Sequence, residues 1–265
     1  MTGTVLLDVA NGIARLTFNR PQQLNALSEE LGRDLIALTG RIENDPAIRC
    51  VVLQGAGDHF CAGGDITMFR EIAKKPALER QRTEREFLHG IHVAILSLVE
   101  MPKPVLARVQ GAAAGIGLSF VLLADLAIAA DDAKFTLAYN QIGLSPDGSS
   151  SFFLPRTVGL KKATEIAFLG ERFDAKTALS LGIVNRVVPR AELDTTVDAL
   201  ANKLASGATQ AMGRTKALFR RSAHASLADQ LAAEVEAFAA SAATDDFVEG
   251  ANAFLEKRPP RFRGK

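Results

Sequence analysis

Residues 104–137 read PVLARVQGAAAGIGLSFVLLADLAIAADDAKFTL. PVLARV (104–109) is a short apolar run behind a proline and predicts a strand. GAAAGIGLSFVLLAD (111–125) opens on glycines and becomes an apolar helix. LAIAAD (126–131) and AKFTL (133–137) predict two more short strands. Strand, glycine turn, helix and strand in succession point to an α/β fold.

The flanks extend the pattern. TVLLDV and IARLTF enclose ANG, so Asn11-Gly12 predicts a β-hairpin turn. Ser28, followed by Glu29, Glu30 and apolar residues at Leu31, Leu35, Leu38 and Ile42, predicts a capped helix. CVVLQG (50–55) is a further strand. Phe87, Ile91, Ile95 and Leu98 repeat at helical spacing over 79–98, and Pro102 and Pro104 end that helix. Beyond about residue 190 the pattern changes to helices near 190–205, 208–222, 226–243 and 245–256 without a strand between them. The expected organisation is an α/β core over 1–190 and a helical region over 191–265.

Composition narrows the function. The chain has 265 residues, of which 48% are hydrophobic and 23% charged, enough for a sizeable core. A net charge of +1 gives no reason to expect nucleic acid or an acidic membrane as a general partner. Lys161-Lys162 and the ending EKRPPRFRGK are local basic clusters, and each also reads as solvated surface. Cys50 and Cys61 form no Cys-x-x-Cys pair and read as buried, inert thiols. His89 and His92 stand three apart but lack an HExxH arrangement, so no metal site is expected. The first residues show no signal-peptide pattern, and the apolar stretch 116–130 is interrupted by Ser119 and Asp125. The Arg-Gly-Lys ending is not a peroxisomal address, which leaves the cytoplasm as the expected location.

Three stretches carry chemistry: HFCAGGDI (59–66), VQGAAAGIGLSF (109–120) and GLSPDGSSS (143–151). Glycines after strands let a ligand approach the backbone closely. A glycine turn that opens a helix also presents free N–H groups. Two such turns can each give one N–H to a single developing oxyanion. Each turn alone reads better as close packing of helix on strand. Neither is a G-x-G-x-x-G fingerprint or a phosphate-binding P-loop.

Together and in this order, the motifs resemble those of the crotonase superfamily, the enoyl-CoA hydratase/isomerase family. The resemblance also includes FNRPQQLNAL (18–27), ATEIAFLGERFDAKTALSLGIVNRVV (163–188) and FVEGANAFLEKRPPRFRGK (247–265). It implies a spiral of ββα units with a helical C-terminal trimerisation region, in trimers that often pair into hexamers. It implies an acyl-CoA substrate and no cofactor beyond the coenzyme A carried on that substrate. The thioester carbonyl would accept from the N–H groups of Gly64 and Ile116. Coenzyme A contacts would fall on Gln22, Leu24, Ala26, Ala62, Asp65 and Ile66. Phe238 and Lys257 would reach the adenine end, from this or a neighbouring subunit, although Phe238 alone also reads as helix core. Segment 67–90 is expected to line the acyl pocket.

The two glutamates of a hydratase would fall at Ser119 and Tyr139, and neither is an acid. Hydration needs a base for water and an acid for the α-carbon. Asp147 remains, at a position where the stretch resembles Δ3,Δ2-enoyl-CoA isomerases and the ring-epoxide isomerase of phenylacetate breakdown. The expected reaction is a double-bond shift from C3 to C2, with Asp147 carrying the proton. Asp147 also fits an Asx-turn or a helix N-cap. The competing readings are a hydratase working by another route, an aryl-CoA dehalogenase, and a non-catalytic acyl-CoA or RNA binder. In the dehalogenase branch this aspartate is a nucleophile assisted by tryptophan, and the chain has no Trp.

Overall fold

Asn11 and Gly12 adopt φ of 53° and 75°. Those left-handed values suit a two-residue hairpin turn, whose twist then matches the flanking strands. They join β1 (Val5–Ala10) to β2 (Ile13–Phe18) in antiparallel register, with Ala10 opposite Ile13. The structure is a computed structural model describing residues 3–265, so Met1 and Thr2 of the expected core region lie outside the described residues.

From β2 the sheet grows in parallel. It adds β3 (Cys50–Gly55), β4 (Val105–Val109), β6 (Leu126–Ala130) and β9 (Arg186–Val188), in the order β1-β2-β3-β4-β6-β9. A parallel sheet covered on both faces needs apolar strands throughout, and CVVL in β3 is buried at every position. Alternation along the strand then sorts the side chains. Val51 and Leu53 enter the main core, whereas Cys50 and Val52 enter a second one on the other face.

The main core is closed by three helices: α1 (Glu29–Asn44), α3 (Ala77–Glu100) and α4 (Ile116–Leu123). Ser28 caps α1 by accepting from the Leu31 N–H, as its sequence predicts. α1 buries Leu31, Leu35 and Ile42, with Leu38 only partly covered. The second core is closed by α8 (Leu193–Ala205), which seats Leu193, Val197, Ala201 and Ala205 against Ile13, Val52, Leu106 and Ile128. A helix beyond residue 190 therefore packs on the core sheet.

A second, three-stranded sheet joins β5 (Ala112–Ala114), β7 (Lys134–Thr136) and β8 (Phe173–Asp174) in the order β5-β7-β8. β5 lies inside the stretch that reads as a glycine-rich helix start. Gly111 and Gly115, at φ 54° and 51°, break the backbone on either side of it. The helix therefore begins only at Ile116. α4 is buried at all eight positions, because a Cβ on Gly117 would overlap the Cys61 carbonyl oxygen and glycine lets the helix close on that segment.

Four short helices complete the core: α2 (Ile66–Ala73), α5 (Ser150–Val158), α6 (Leu160–Leu169) and α7 (Ala175–Ser180). The C-terminal helices are α9 (Thr209–Ser222), α10 (Leu227–Ala242) and α11 (Asp245–Leu255). α10 buries no residue within the chain and exposes Leu227, Val235 and Phe238. Among the described residues no helix is long and apolar enough to cross a membrane.

Candidate active site

The first wall of the site is fixed by backbone pairing after β3. Asn25, fully buried at φ 57°, donates to Ala56 O (2.9 Å) and His59 O (2.7 Å) and accepts from Arg20 N–H (2.9 Å). This pins the QQLNA segment to the end of the strand. Ala62 N–H then donates to Leu24 O (3.0 Å), Leu27 N–H to Gly63 O (2.8 Å) and Asp65 N–H to Leu27 O (2.9 Å). That parallel bridge uses Gly63 O and Asp65 N–H and leaves the Gly64 N–H out, and Gly64 lines a cavity of about 740 Å³. A Cβ on Gly64 would stand 2.6 Å from the Phe69 ring, so glycine is what the ring leaves room for.

Asp65 holds this wall in place. One carboxylate oxygen accepts from Thr67 N–H (2.9 Å) and Thr67 Oγ1 (2.6 Å), and the other from Arg20 (2.7 Å). Burial pushes the carboxyl up, but these hydrogen bonds and the guanidinium outweigh it and hold it below the usual range.

The second wall is the start of α4. Gly115 N–H donates to Thr136 O (3.0 Å), and Ser119 N–H closes the first turn on Gly115 O (3.1 Å). The Ile116 N–H, at the first helical position, has no intrahelical acceptor and borders the same cavity. A Cβ built on Gly115 would lie 3.6 Å from the Gly63 Cα, so the two walls approach closely. Ile116 finds room against Gly148, where an added Cβ would come within 2.9 Å of its Cγ1.

Asp147 lines the same cavity from the loop before α5. Its carboxylate does not cap that helix. Ser149 is the N-cap residue, with φ 77° and no side-chain cap, and Asp147 contributes only its carbonyl, to Ser150 N–H (3.1 Å) and Ser150 Oγ (2.8 Å). The capping and Asx-turn reading is thereby corrected. The carboxylate instead accepts a hydrogen bond from the Tyr139 hydroxyl. Ser119, fully buried, shares its hydroxyl between Asp147 O (3.1 Å) and Gly115 O (3.4 Å). Ser119 and Tyr139, where the sequence lacks acids, are thus both supports of Asp147. Burial raises the Asp147 carboxyl above the ordinary value, opposed by the Tyr139 donor and by His92. Burial and the nearby Asp147 charge likewise push the Tyr139 phenol upward, which keeps it a donor.

The expected contact residues divide. Ala62 and Ile66 line the cavity with Gly64, Ile116 and Asp147. Gln22, Leu24 and Ala26 do not line it, although Leu24 O accepts from Ala62 N–H of its first wall, and the Asp65 side chain is engaged within the protein. Phe238, 77% exposed, and Lys257, just past α11 at φ 54°, lie outside the cavity of the same protomer. Phe238 is therefore not helix core. Part of segment 67–90 does line the cavity, through Phe69, Glu84, Phe87 and Leu88.

Glu84 on α3 is not singled out in sequence, and His92 reads there only for a metal site, yet both line the cavity. Their signal is a spacing of eight on the face that also carries Leu88 and Leu96. Burial pushes the thiols of Cys50 and Cys61 up to about 12 and about 11, consistent with inert thiols. Among the described residues no group of three His, Cys, Asp or Glu could hold a metal ion.

Two N–H donors and one supported carboxylate around an apolar cavity can hold a carbonyl oxygen and move a proton on a neighbouring carbon. The family model described as enoyl-CoA hydratase/isomerase matches residues 8–265, and the chain belongs to that family. The 1,2-epoxyphenylacetyl-CoA isomerase of Escherichia coli (strain K12) is 35% identical over 261 residues, 98% of each chain. The short-chain-enoyl-CoA hydratase of Clostridium acetobutylicum is 33% identical, covering 96% of this chain and 95% of its own. A crystal structure of an enoyl-CoA hydratase from Polaromonas sp. JS666 matches with a TM-score of 0.92 at 34% identity, over 98% of this chain and 100% of that one. The fold is the crotonase fold, and members of the family act on acyl-CoA thioesters.

Proposed function

We propose that the protein is an acyl-CoA double-bond isomerase that shifts unsaturation from C3 to C2, with Asp147 as the base. The observation that carries this reading is the support of Asp147 by Ser119 and Tyr139. Where a hydratase would place its glutamate pair, this site invests both side chains in one aspartate. The thioester oxygen accepts from the N–H groups of Gly64 and Ile116, each worth roughly 3 kcal/mol once charge develops there. Asp147 removes a proton from C2, and the electron pair spreads into a dienolate held by those donors. Protonation at C4 then leaves the double bond between C2 and C3. No cofactor is needed, because coenzyme A arrives on the substrate.

Phe238, Lys257 and the exposed face of α10 belong, in this reading, to a trimer or a dimer of trimers, where a neighbour brings them to the adenine end. The functional test uses 3-enoyl-CoA and 2-enoyl-CoA. Wild-type protein is expected to convert the 3-enoyl to the 2-enoyl ester, and Asp147→Asn to lose that conversion while still binding the thioester. Water addition to 2-enoyl-CoA at an undiminished rate in Asp147→Asn would overturn the isomerase reading in favour of a hydratase.

A further inference from the structure

We propose that Glu84 is a second catalytic residue of this site, delivering a proton to the acyl carbon remote from the thioester while Asp147 removes one beside it. The inference rests on the isomerase reading above. Glu84 lies where the reaction cavity meets a neighbouring groove of about 890 Å³ formed by α2, the start of α3 and the loop at Ile142 and Leu144. Five residues border both spaces: Ile66, Phe69, Glu84, Ile142 and Leu144. Four are apolar, so an acyl chain passing from one space to the other meets a single ionisable group.

That group is unengaged. Among the described residues the Glu84 carboxylate has no hydrogen bond and no ion pair, and the nearby arginines are engaged elsewhere. Arg80 donates to Lys75 O (2.9 Å), Arg82 pairs with Glu86 (2.7 Å), and Arg70 stands 3.7 Å from Glu71. The titratable groups bordering the cavity are Glu84 and His92 from α3, Tyr139 from the turn after β7, and Asp147 from the loop before α5; Arg70 and Arg80 border the groove. Burial raises the Glu84 carboxyl, and the Asp147 charge raises it further.

Two carboxyl groups that share a poorly solvated space and repel each other divide into a base and an acid. The partners decide which is which. Asp147 has a phenol donor that favours its ionised form, whereas Glu84 has none, which makes Glu84 the better placed of the two to deliver a proton. Asp147 takes the C2 proton and the C2–H pair becomes part of the new C2–C3 double bond. The C3–C4 π pair takes the proton from Glu84 and becomes a C4–H bond. Asp147 ends protonated and Glu84 ionised, and exchange with water resets both.

The test is turnover of 3-enoyl-CoA deuterated at C2, in ordinary water, with the product analysed for deuterium at C4. Wild-type product is expected to carry a solvent hydrogen at C4. Glu84→Gln is expected to lower kcat by roughly 100-fold, the scale of general acid catalysis, with KM within about twofold. Its remaining turnover should carry deuterium from C2 to C4, because Asp147 then works alone. The wild-type rate should fall as pH rises through the Glu84 titration, and Glu84→Gln should lose that basic limb. Glu84→Asp, which keeps the acid, should recover part of the rate and the limb. Deuterium retention at C4 in the wild type, or a Glu84→Gln variant with unchanged kcat and basic limb, overturns the role of Glu84 alone. A wild type that leaves 3-enoyl-CoA unconverted overturns the isomerase reading and this inference with it.

Discussion

Tyr139→Phe deletes one oxygen and, with it, the side-chain donor to the Asp147 carboxylate. The ring stays and still fills the space beside Gly115, so the wall of the cavity should keep its shape. A hydrogen bond to a charged group is worth about 1.5–3 kcal/mol. One pKa unit corresponds to 1.36 kcal/mol of preference between protonation states, so removing the donor should raise the Asp147 titration by about 1–2 units. The sign follows from which form the donor favours. The phenol stabilises the carboxylate, and without it burial acts against weaker opposition from His92 and a backbone N–H. A base must be ionised to act, so kcat/KM falls as pH drops through its titration. The acid limb should therefore move to higher pH in Tyr139→Phe. The assay is the pH profile of kcat/KM for conversion of 3-enoyl-CoA, with Ser119→Ala as the control. Ser119 touches the Asp147 carbonyl and the Tyr139 phenol but not the carboxylate, so that variant should move the limb less. An acid limb that stays where it is in Tyr139→Phe, or moves to lower pH, refutes the assignment of the phenol as the donor that sets this acid.

Two other outcomes follow from the same geometry. Asp147→Asn should raise the thermal midpoint by a few degrees at neutral pH. The folded-state titration of Asp147 is raised, so native stability falls as pH rises from the ordinary carboxylate value through the raised one, and the gap between variant and wild type should close below that window in melts followed by circular dichroism. Gly148→Ala places a Cβ 2.9 Å from Ile116 Cγ1 at φ 61°, and should cost about 1–3 kcal/mol in urea unfolding and depress turnover by displacing the helix start.

Local chemistry made much of the fold readable. Asn11-Gly12 allows a left-handed two-residue turn, Ser28 offers an oxygen to Leu31 N–H, and α3 carries its apolar stripe at Phe87, Ile91, Ile95 and Leu98. The small second sheet was only partly readable. β8 spans two residues and pairs with β7 nearly forty positions away, so neither period nor propensity betrays it. The site divides the same way. Glycine turns after strands announce Gly64 and Ile116, but nothing local says that Ile116 is accommodated by the missing Cβ of Gly148. Asp147 was visible as an acid in a turn, a setting that equally suits a cap. What removes that ambiguity is the fold of 137–148, where Ala138 at φ 55° and Gly143 at φ 72° turn the chain back until Tyr139 meets Asp147.

That fold-back also gives meaning to the acids the sequence lacks. A serine and a tyrosine at 119 and 139 read, in sequence, only as the loss of a hydratase pair. Ser119 is wholly buried with its hydroxyl on the Asp147 carbonyl, and Tyr139 presents its hydroxyl to the carboxylate. A glutamate in place of Ser119 would bring a charge to a position with no accessible surface, at the strong desolvation cost of a buried carboxylate. A glutamate in place of Tyr139 would set a second anion against Asp147 and raise its titration instead of lowering it. Each substitution would thus undermine the aspartate that the present residues hold, so acids at these two positions and an ionised Asp147 are alternatives within one cavity.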